Sequence, residues 1–512
     1  MQRLLLFILL MTQPPILLAR DYVIDINTQE KFNRVESLIE SAVNSGFKDI
    51  VCRIQKGTYE YSNSMLTLAC MKSDVNLTIE GRGAVLIGKP TATKETTPSL
   101  SNTDKGNLLN LWSDVAQSPE LIQVLDKEKK ECRIRLVDNN AEAGDFIQIS
   151  QWYMSPRYKV TKVAGGYAYF TAKNLAYVSS KKGWNVNYDF LYGKQYPRYR
   201  VFTHSLPKDI FSTDVAFFLT VSNAKTGNIT IRGIVFAGSA ERNYSGLLRF
   251  TQVNAQNILI EDCKFQGCKS TCISLAGTKN VTITRCIFEQ NYFTCIYADD
   301  ACGKICIKRN KFYDGGIGWT NTMLVNLKAY DFVVKDNIFR DFAYGAVGVG
   351  VWRNSEKNGI VSGVIENNEI FFSPQYYKDF MRHTLMDSGA IYTWTQNDNV
   401  TIRNNYIHDI SGVKDNRGIF CDDGAKNVTI TGNVIQRIQN SYCIDLREAS
   451  YVADKVLDYN TGNTCRDNLV DGRIRFFIRD ESCRESNNKK IGDRGYKTMK
   501  AYKLWRRKIK KQ

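Results

Sequence analysis

One nine-residue pattern recurs eight times: NITIRGIVF at 228, NILIEDCKF at 257, NVTITRCIF at 280, KICIKRNKF at 304, DFVVKDNIF at 331, SGVIENNEI at 362, NVTIRNNYI at 399 and NVTITGNVI at 427. Apolar residues fill the second, fourth and ninth places in almost every copy. The seventh place is Ile234, then Cys263 and Cys286, then Asn310, Asn337, Asn368, Asn405 and Asn433. Few folds tolerate such a rhythm.

Alternation of apolar and polar residues makes a short strand with one face inward. A residue fixed at the seventh place marks a bend. Asn accepts left-handed backbone geometry, and its amide can pair with the same Asn one coil above, satisfying polar groups that the bend would bury. Companion strands follow: CISLA from 272, CIYAD from 295, LVNLK from 324, AIYTW from 390, GIFCD from 418 and CIDLR from 443. Copies start 29, 23, 24, 27, 31, 37 and 28 residues apart. Coils of this length without a helical period predict an all-β, single-stranded parallel β-helix. The alternative, hairpins in a β-sandwich, does not require one Asn at one coil place.

The rest of the chain divides around this repeat. Residues 1–19 read as an export signal, with Arg3, an apolar run Leu4 to Met11 and a Leu17-Leu18-Ala19 end. That run is too short for a bilayer, which needs about 20 residues, and no membrane span follows. A secreted or periplasmic location is expected. Residues 20–100 hold a capping helix (Phe32, Val35, Leu38, Ile39, Ala42, Val43, ending near Gly46) and first coils at 49–61 and 76–88. Residues 101–205 break the rhythm and alternate like antiparallel strands, as a β-rich insertion. The main β-helix occupies 206–486, with the 487–512 tail after it.

Charge narrows the partners. The tail carries +10 of the net +17, leaving +7 on all other residues. No nucleic-acid partner is expected from so mild a body. The tail is either a solvated terminus or a basic amphipathic segment built on Leu504, Trp505 and Ile509. Of fourteen Cys, the pairs Cys263/Cys286 and Cys272/Cys295 each lie 23 apart. That interval suggests stacked core thiols, with disulfides as the alternative.

At this point the chain resembles the pectate-lyase-like superfamily of right-handed parallel β-helix proteins, over roughly 20–100 and 206–480. KGTYEY, NLTIEGRGA and NVTITGNVI carry the fold resemblance. DSGAIYTW (387–394), NNYIHDI (404–410) and GIFCDDGAKNVTI (418–430) are similar to β-helical glycoside hydrolases of the type that includes bacterial α-L-fucosidases and xylanases. The resemblance implies an exported glycoside hydrolase acting on a complex polysaccharide or oligosaccharide. It also implies catalytic carboxylates at Asp387 and in the Asp422/Asp423 pair.

Glycoside hydrolysis needs two carboxyl groups, ~5–5.5 Å apart for retention and ~6.5–9.5 Å for inversion. Asp387 precedes one companion strand and Asp422 and Asp423 end the next. Turn chemistry is the alternative, because Asp299-Asp300 repeats the 422–423 pair at the same coil place and Asp415 and Ser441 occupy the Asp387 place in later coils. The two longest intervals bracket this zone, which gathers Arg382, His383, His408, Arg417 and Glu448 as candidate substrate-binding or orienting residues. Tyr392 and Trp394 should point away from the core, either as a sugar platform or packed with Phe420 under a loop. A polysaccharide lyase is the alternative enzyme, with Lys328, Arg353 or Arg403 as base and Ca²⁺ or Arg on the uronate. A glycan-binding surface protein is the non-enzymatic one. No GxSxG, phosphate loop or zinc spacing occurs. A monomer needing no metal or other cofactor is expected for the hydrolase.

Overall fold

The computed structural model describes most of residues 21–509. Outside the description lie 1–20, 89–121, 173–198, 203–217, 238–245, 351–360, 375–387 and 510–512, with short stretches elsewhere, among them 412–415, 423–424, 440 and 448. The repeat does wind into a parallel β-helix. Each nine-residue copy supplies two strands that meet at a bend, and each companion supplies a third.

Three parallel faces result. Face 1 is an 11-stranded sheet running from Leu66–Thr67 to Arg473–Phe476. Faces 2 and 3 form one 23-stranded hydrogen-bonded sheet, joined through the long strands Asn76–Gly88 and Lys225–Ala237. The ninth place of the repeat points inward on face 3. There Phe236, Phe265, Phe288, Phe312 and Phe339 stack at centroid spacings of 5.0, 4.9, 4.7 and 4.5 Å, close to the strand spacing itself.

The bend between faces 2 and 3 is held by the seventh-place residue. Asn310, Asn337, Asn368, Asn405 and Asn433 each donate an amide hydrogen to the next Asn's Oδ1, over 2.9–3.1 Å. The ladder runs on through Asn468 and Asn488. Left-handed geometry falls one place earlier than the sequence suggested. The sixth-place residues Gly233, Asp262, Arg285, Arg309, Asp336, Asn367, Asn404 and Gly432 all have φ between 53° and 68°. The sixth residue turns the chain, and the seventh satisfies the polar groups that the turn buries. Cys263 and Cys286 occupy the early seventh places, with thiols donating to Glu261 and Thr284 carbonyls. The 13 described cysteines are all free.

At the entry the expected helix is two helices, Gln29–Asn33 and Val35–Asn44, broken at Arg34. Buried Phe32 meets Tyr59 and Phe218, so the pair closes the first coils. Within 101–205, strands from Ile122–Asp126 to Tyr199–Phe202 form a six-stranded antiparallel sheet. The basic tail is more structured than a solvated terminus. It begins with a last half-coil carrying Asn488, then forms a helix, Lys500–Ile509, packed against face 3.

Candidate active site

On face 1 the strands Ser388–Trp394 and Asn416–Asp422 pair with Tyr392 beside Phe420 and Trp394 beside Asp422. Ile391 and Ile419 fill the helix core, so the residues between them face outward. Tyr392, Trp394 and Phe420 are nevertheless buried, packed with Met323 into a separate apolar cluster. Tyr392 meets Phe420 at 4.8 Å and Trp394 at 5.4 Å, both edge-on. Tyr392 is 5% and Trp394 9% exposed.

Charges on this face are spent on one another. Arg417 is 1% exposed, its guanidinium 3.9 Å above the Phe420 ring and its Nε donating to Asp445. Buried Asp445 also receives Arg475, through Nε and a terminal nitrogen. Arg417 is thus engaged with Asp445 and Phe420 inside face 1. Asp422 accepts the Tyr392 hydroxyl at 2.6 Å and Arg447 at 3.1 Å. Asp387, Asp423, Arg382, His383 and Glu448 lie outside the described residues.

His408 is elsewhere. It belongs to Tyr406–Ile410 on face 3, so the structure does not bring it together with Asp422. Its Nδ1 lies 2.5 Å from Asp409 and its Nε2 3.4 Å from Glu369. Its ring stacks between Tyr406 and Phe371, at 4.1 and 4.8 Å. Asp409 is held far below the ordinary carboxylate range. Burial opposes this, but hydrogen bonds from Arg437 and His408 outweigh it.

The same coil place carries an arrangement that sequence reasoning missed. Gln290, Asp314, Asp341, Asp409 and Arg437 share this place at the ends of face 3 strands in left-handed geometry, φ 51–57°, with Phe372 at the rung between Asp341 and Asp409. Pairing of Tyr313 with Arg340 sets Asp314 and Asp341 one rung apart, close enough for each carboxyl to shift the other's titration. Asp341 also accepts the Ser373 backbone N–H at 2.7 Å. Arg340, stacked 4.3 Å over Tyr313, lies 3.3 Å from Asp341 and 3.6 Å from Asp314.

One cation thus serves two carboxyls. Burial, then the Asp341 charge, pushes Asp314 up to about 7, with Arg340 opposing. Asp341 is raised too, chiefly by burial, but Ser373 and Arg340 favour its ionised form. Burial thus raises both carboxyls, and they titrate as a pair. Proton-sharing carboxyl pairs are the pattern of acid–base sites. The sequence did carry a trace of it. FYD (312–314), FRD (339–341) and IHD (407–409) repeat an Asp two places after the inward ninth residue. Among the described residues, no group of three or more His, Cys, Asp or Glu is placed to hold a metal ion.

A family profile described as a right handed beta helix region matches residues 221–370 and 252–470. No curated protein matches the sequence. Among solved structures, the A-module of an Azotobacter vinelandii mannuronan C-5 epimerase is 12% identical, covering 92% of each chain with a TM-score of 0.43. An exopolygalacturonase from Thermotoga maritima is 12% identical, covers 97% of each chain and has a TM-score of 0.40. The tailspike protein of E. coli bacteriophage HK620, in complex with a pentasaccharide, is 12% identical over 87% of this chain and 64% of its own, at a TM-score of 0.43.

Proposed function

We propose, for a chain that belongs to the right-handed parallel β-helix family, that it is an exported glycoside hydrolase whose catalytic carboxyls are Asp314 and Asp341. The observation that carries this reading is the placing of these two carboxyls on adjacent rungs, both within 3.6 Å of Arg340; burial and the Asp341 charge push Asp314 up to about 7.

Breaking a glycosidic bond requires a proton on the leaving oxygen and negative charge near the anomeric carbon. Asp314 keeps its proton at a pH where an ordinary carboxyl has lost it, and an acid of that strength transfers protons efficiently near neutrality. Asp341 supplies the charge, oriented by Ser373 and neutralised in part by Arg340. A glycosidic oxygen entering between them takes the Asp314 proton, and the carbon–oxygen bond breaks as Asp341 attacks the anomeric carbon. Water then hydrolyses the ester while Asp314 takes its proton. Opening the pair to the rung spacing of ~4.8 Å approaches the ~5–5.5 Å of retaining enzymes. Retention of configuration is the expected outcome.

A second reading keeps the reaction but puts it on face 1, at Asp422 with Asp387 and Asp423. It is favoured by the Tyr392 hydroxyl and Arg447 contacts on the Asp422 carboxylate. A digestion panel of acidic and neutral glycans, followed by single Asp→Asn variants, separates the two. On the first reading, Asp314→Asn and Asp341→Asn each lose about 10²–10⁴-fold in turnover, the worth of a positioned acid or base. Full activity in both variants defeats it, and unsaturated products would point to β-elimination instead.

A further inference from the structure

Face 3 is open along part of its length and closed along the rest. Its outward column nearest the Asn ladder stacks in register from coil to coil. Lys264, Ile287, Lys311 and Ile338 are half-buried or exposed. Glu369, Tyr406, Val434 and Leu469, on the following rungs, fall to 8%, 5%, 3% and 0%. The change comes between Ile338 and Glu369. Asp341, 3% exposed, stands on the last open rung of this column; in the neighbouring column Tyr313, Arg340 and Phe371 are half-buried, and His408 and Gln436 are buried, so it closes one rung later.

The closing element is the basic C-terminal segment. Met499 and Ala501, with Tyr502 and Trp505 of the helix Lys500–Ile509, lie on Tyr406, Val434 and Leu469. Trp505 stands against Tyr406, the first rung that the helix covers, with ring centroids 6.3 Å apart. Its indole N–H is buried and has no hydrogen-bond partner. Buried donors are seldom left so, and a sugar hydroxyl arriving at the closed end is a partner of the right kind.

We propose that this helix is the end wall of the substrate groove, so that the protein removes one or two sugars at a time from a chain end. The inference rests on Asp314–Asp341 as the catalytic pair. A glycan laid along face 3 advances by about one sugar per ~4.8 Å rung. Upstream coils offer several open rungs, whereas beyond Asp341 only the Glu369 rung lies before the Tyr406 rung, where the wall stands. Trp505 is thus a specificity-determining residue with no part in the chemistry.

The test uses the full-length protein, its Trp505→Ala variant and a chain ending at Thr498. The probes are oligogalacturonides and xylo-oligosaccharides from dimer to octamer, each free or carrying a bulky fluorophore at one terminus. The parent should release only monomer or dimer, in sequence from one end. Both variants should cut internally, and viscosity of the parent polymer should then fall at least about tenfold faster per bond broken, a shift of about one 1.4 kcal/mol step. Binding to the Asp341→Asn background gives a readout free of turnover. There the blocked terminus should weaken binding in the presence of the helix and not after its removal. Internal cleavage by the parent, or an unchanged product pattern in a folded Trp505→Ala protein, overturns the wall. Loss of turnover alone would count against the catalytic pair instead. If the shortened chain fails to fold, Trp505→Ala and the binding comparison still decide.

Discussion

Faces 1 and 3 of the same coils put carboxylates on their outer surfaces and treat them in opposite ways. On face 1 cations match or exceed anions. Asp445 has Arg417 and Arg475, and Asp422 has Arg447. These carboxylates are each paired with guanidinium groups. On face 3 Asp314 and Asp341 lean on each other with Arg340 alone between them, and burial raises both. Chemistry follows the shortage of countercharge and not the number of carboxylates.

The sharpest way to break that contrast is to remove one carboxylate from each face. Asp341→Asn should cost turnover about 10²–10⁴-fold, whereas Asp422→Asn should change it only a few-fold. The reverse order would move the active site to face 1. The pH profile sharpens the same point, because activity that depends on the Asp314 proton falls as pH rises through about 7. Stability carries the sign too. The unfolded chain loses this proton at ordinary carboxylate pH, while the folded chain keeps it to about 7. The Asp314 contribution to stability therefore declines as pH rises across that window. Asp409 behaves oppositely. Its folded pKa is depressed, so its contribution is present at neutral pH and lost on acidification below the ordinary carboxylate value. Asp314→Asn should flatten the first slope and leave the second.

Next in size is the face 1 pair itself. Asp445→Asn removes a carboxylate partner of the Arg417 guanidinium, which is 1% exposed. Breaking a buried pair from one side costs about 3–5 kcal/mol. Denaturant unfolding should show that loss. A change below ~1 kcal/mol would mean that Arg417 finds water or another acceptor, and that face 1 is more open than its packing shows.

These outcomes also mark what the amino-acid sequence reveals. The coil and its Asn ladder were legible because they depend on residue type at a fixed interval, which survives intervals of 23 to 37 residues. The ladder's last members were not, since Asn468 and Asn488 follow 35 and 20 residues on, in coils without the full pattern. The carboxyl pair was half-legible. The Asp column after FY, FR and IH can be counted, but only the pairing of rungs shows that Asp314 and Asp341 touch while Phe372 separates Asp341 from Asp409. The outward direction of Tyr392 and Trp394 follows from alternation, whereas their burial depends on Met323 and Phe420 from other coils. Likewise, nothing local in the sequence puts His408 and Asp422 on different faces.

A smaller effect tests whether the ladder is common to both faces. Asn368 donates to the Val334 carbonyl and to Asn405, and accepts from the Asn337 backbone and side chain. Asn368→Leu keeps the volume roughly and orphans buried partners, at ~1–3 kcal/mol for each group left unpaired. The expected loss is about 2–4 kcal/mol, with the product pattern of any residual activity unchanged. If turnover fell far more than stability, the ladder would be positioning Asp341 from the next bend of its coil.

The smallest expected effect lies on face 2, where Arg403 and Glu366 form an ion pair at 2.7 Å with Arg403 46% exposed. Solvent screens such pairs, and their usual worth is about 0–1 kcal/mol. Arg403→Gln should therefore shift unfolding by less than that and leave glycan turnover alone. Arg403 is also one of the bases that a lyase would use. A variant that folds normally but loses its activity would reverse the order of the faces, making face 2 the reactive one and the Asp314–Asp341 pair a structural feature.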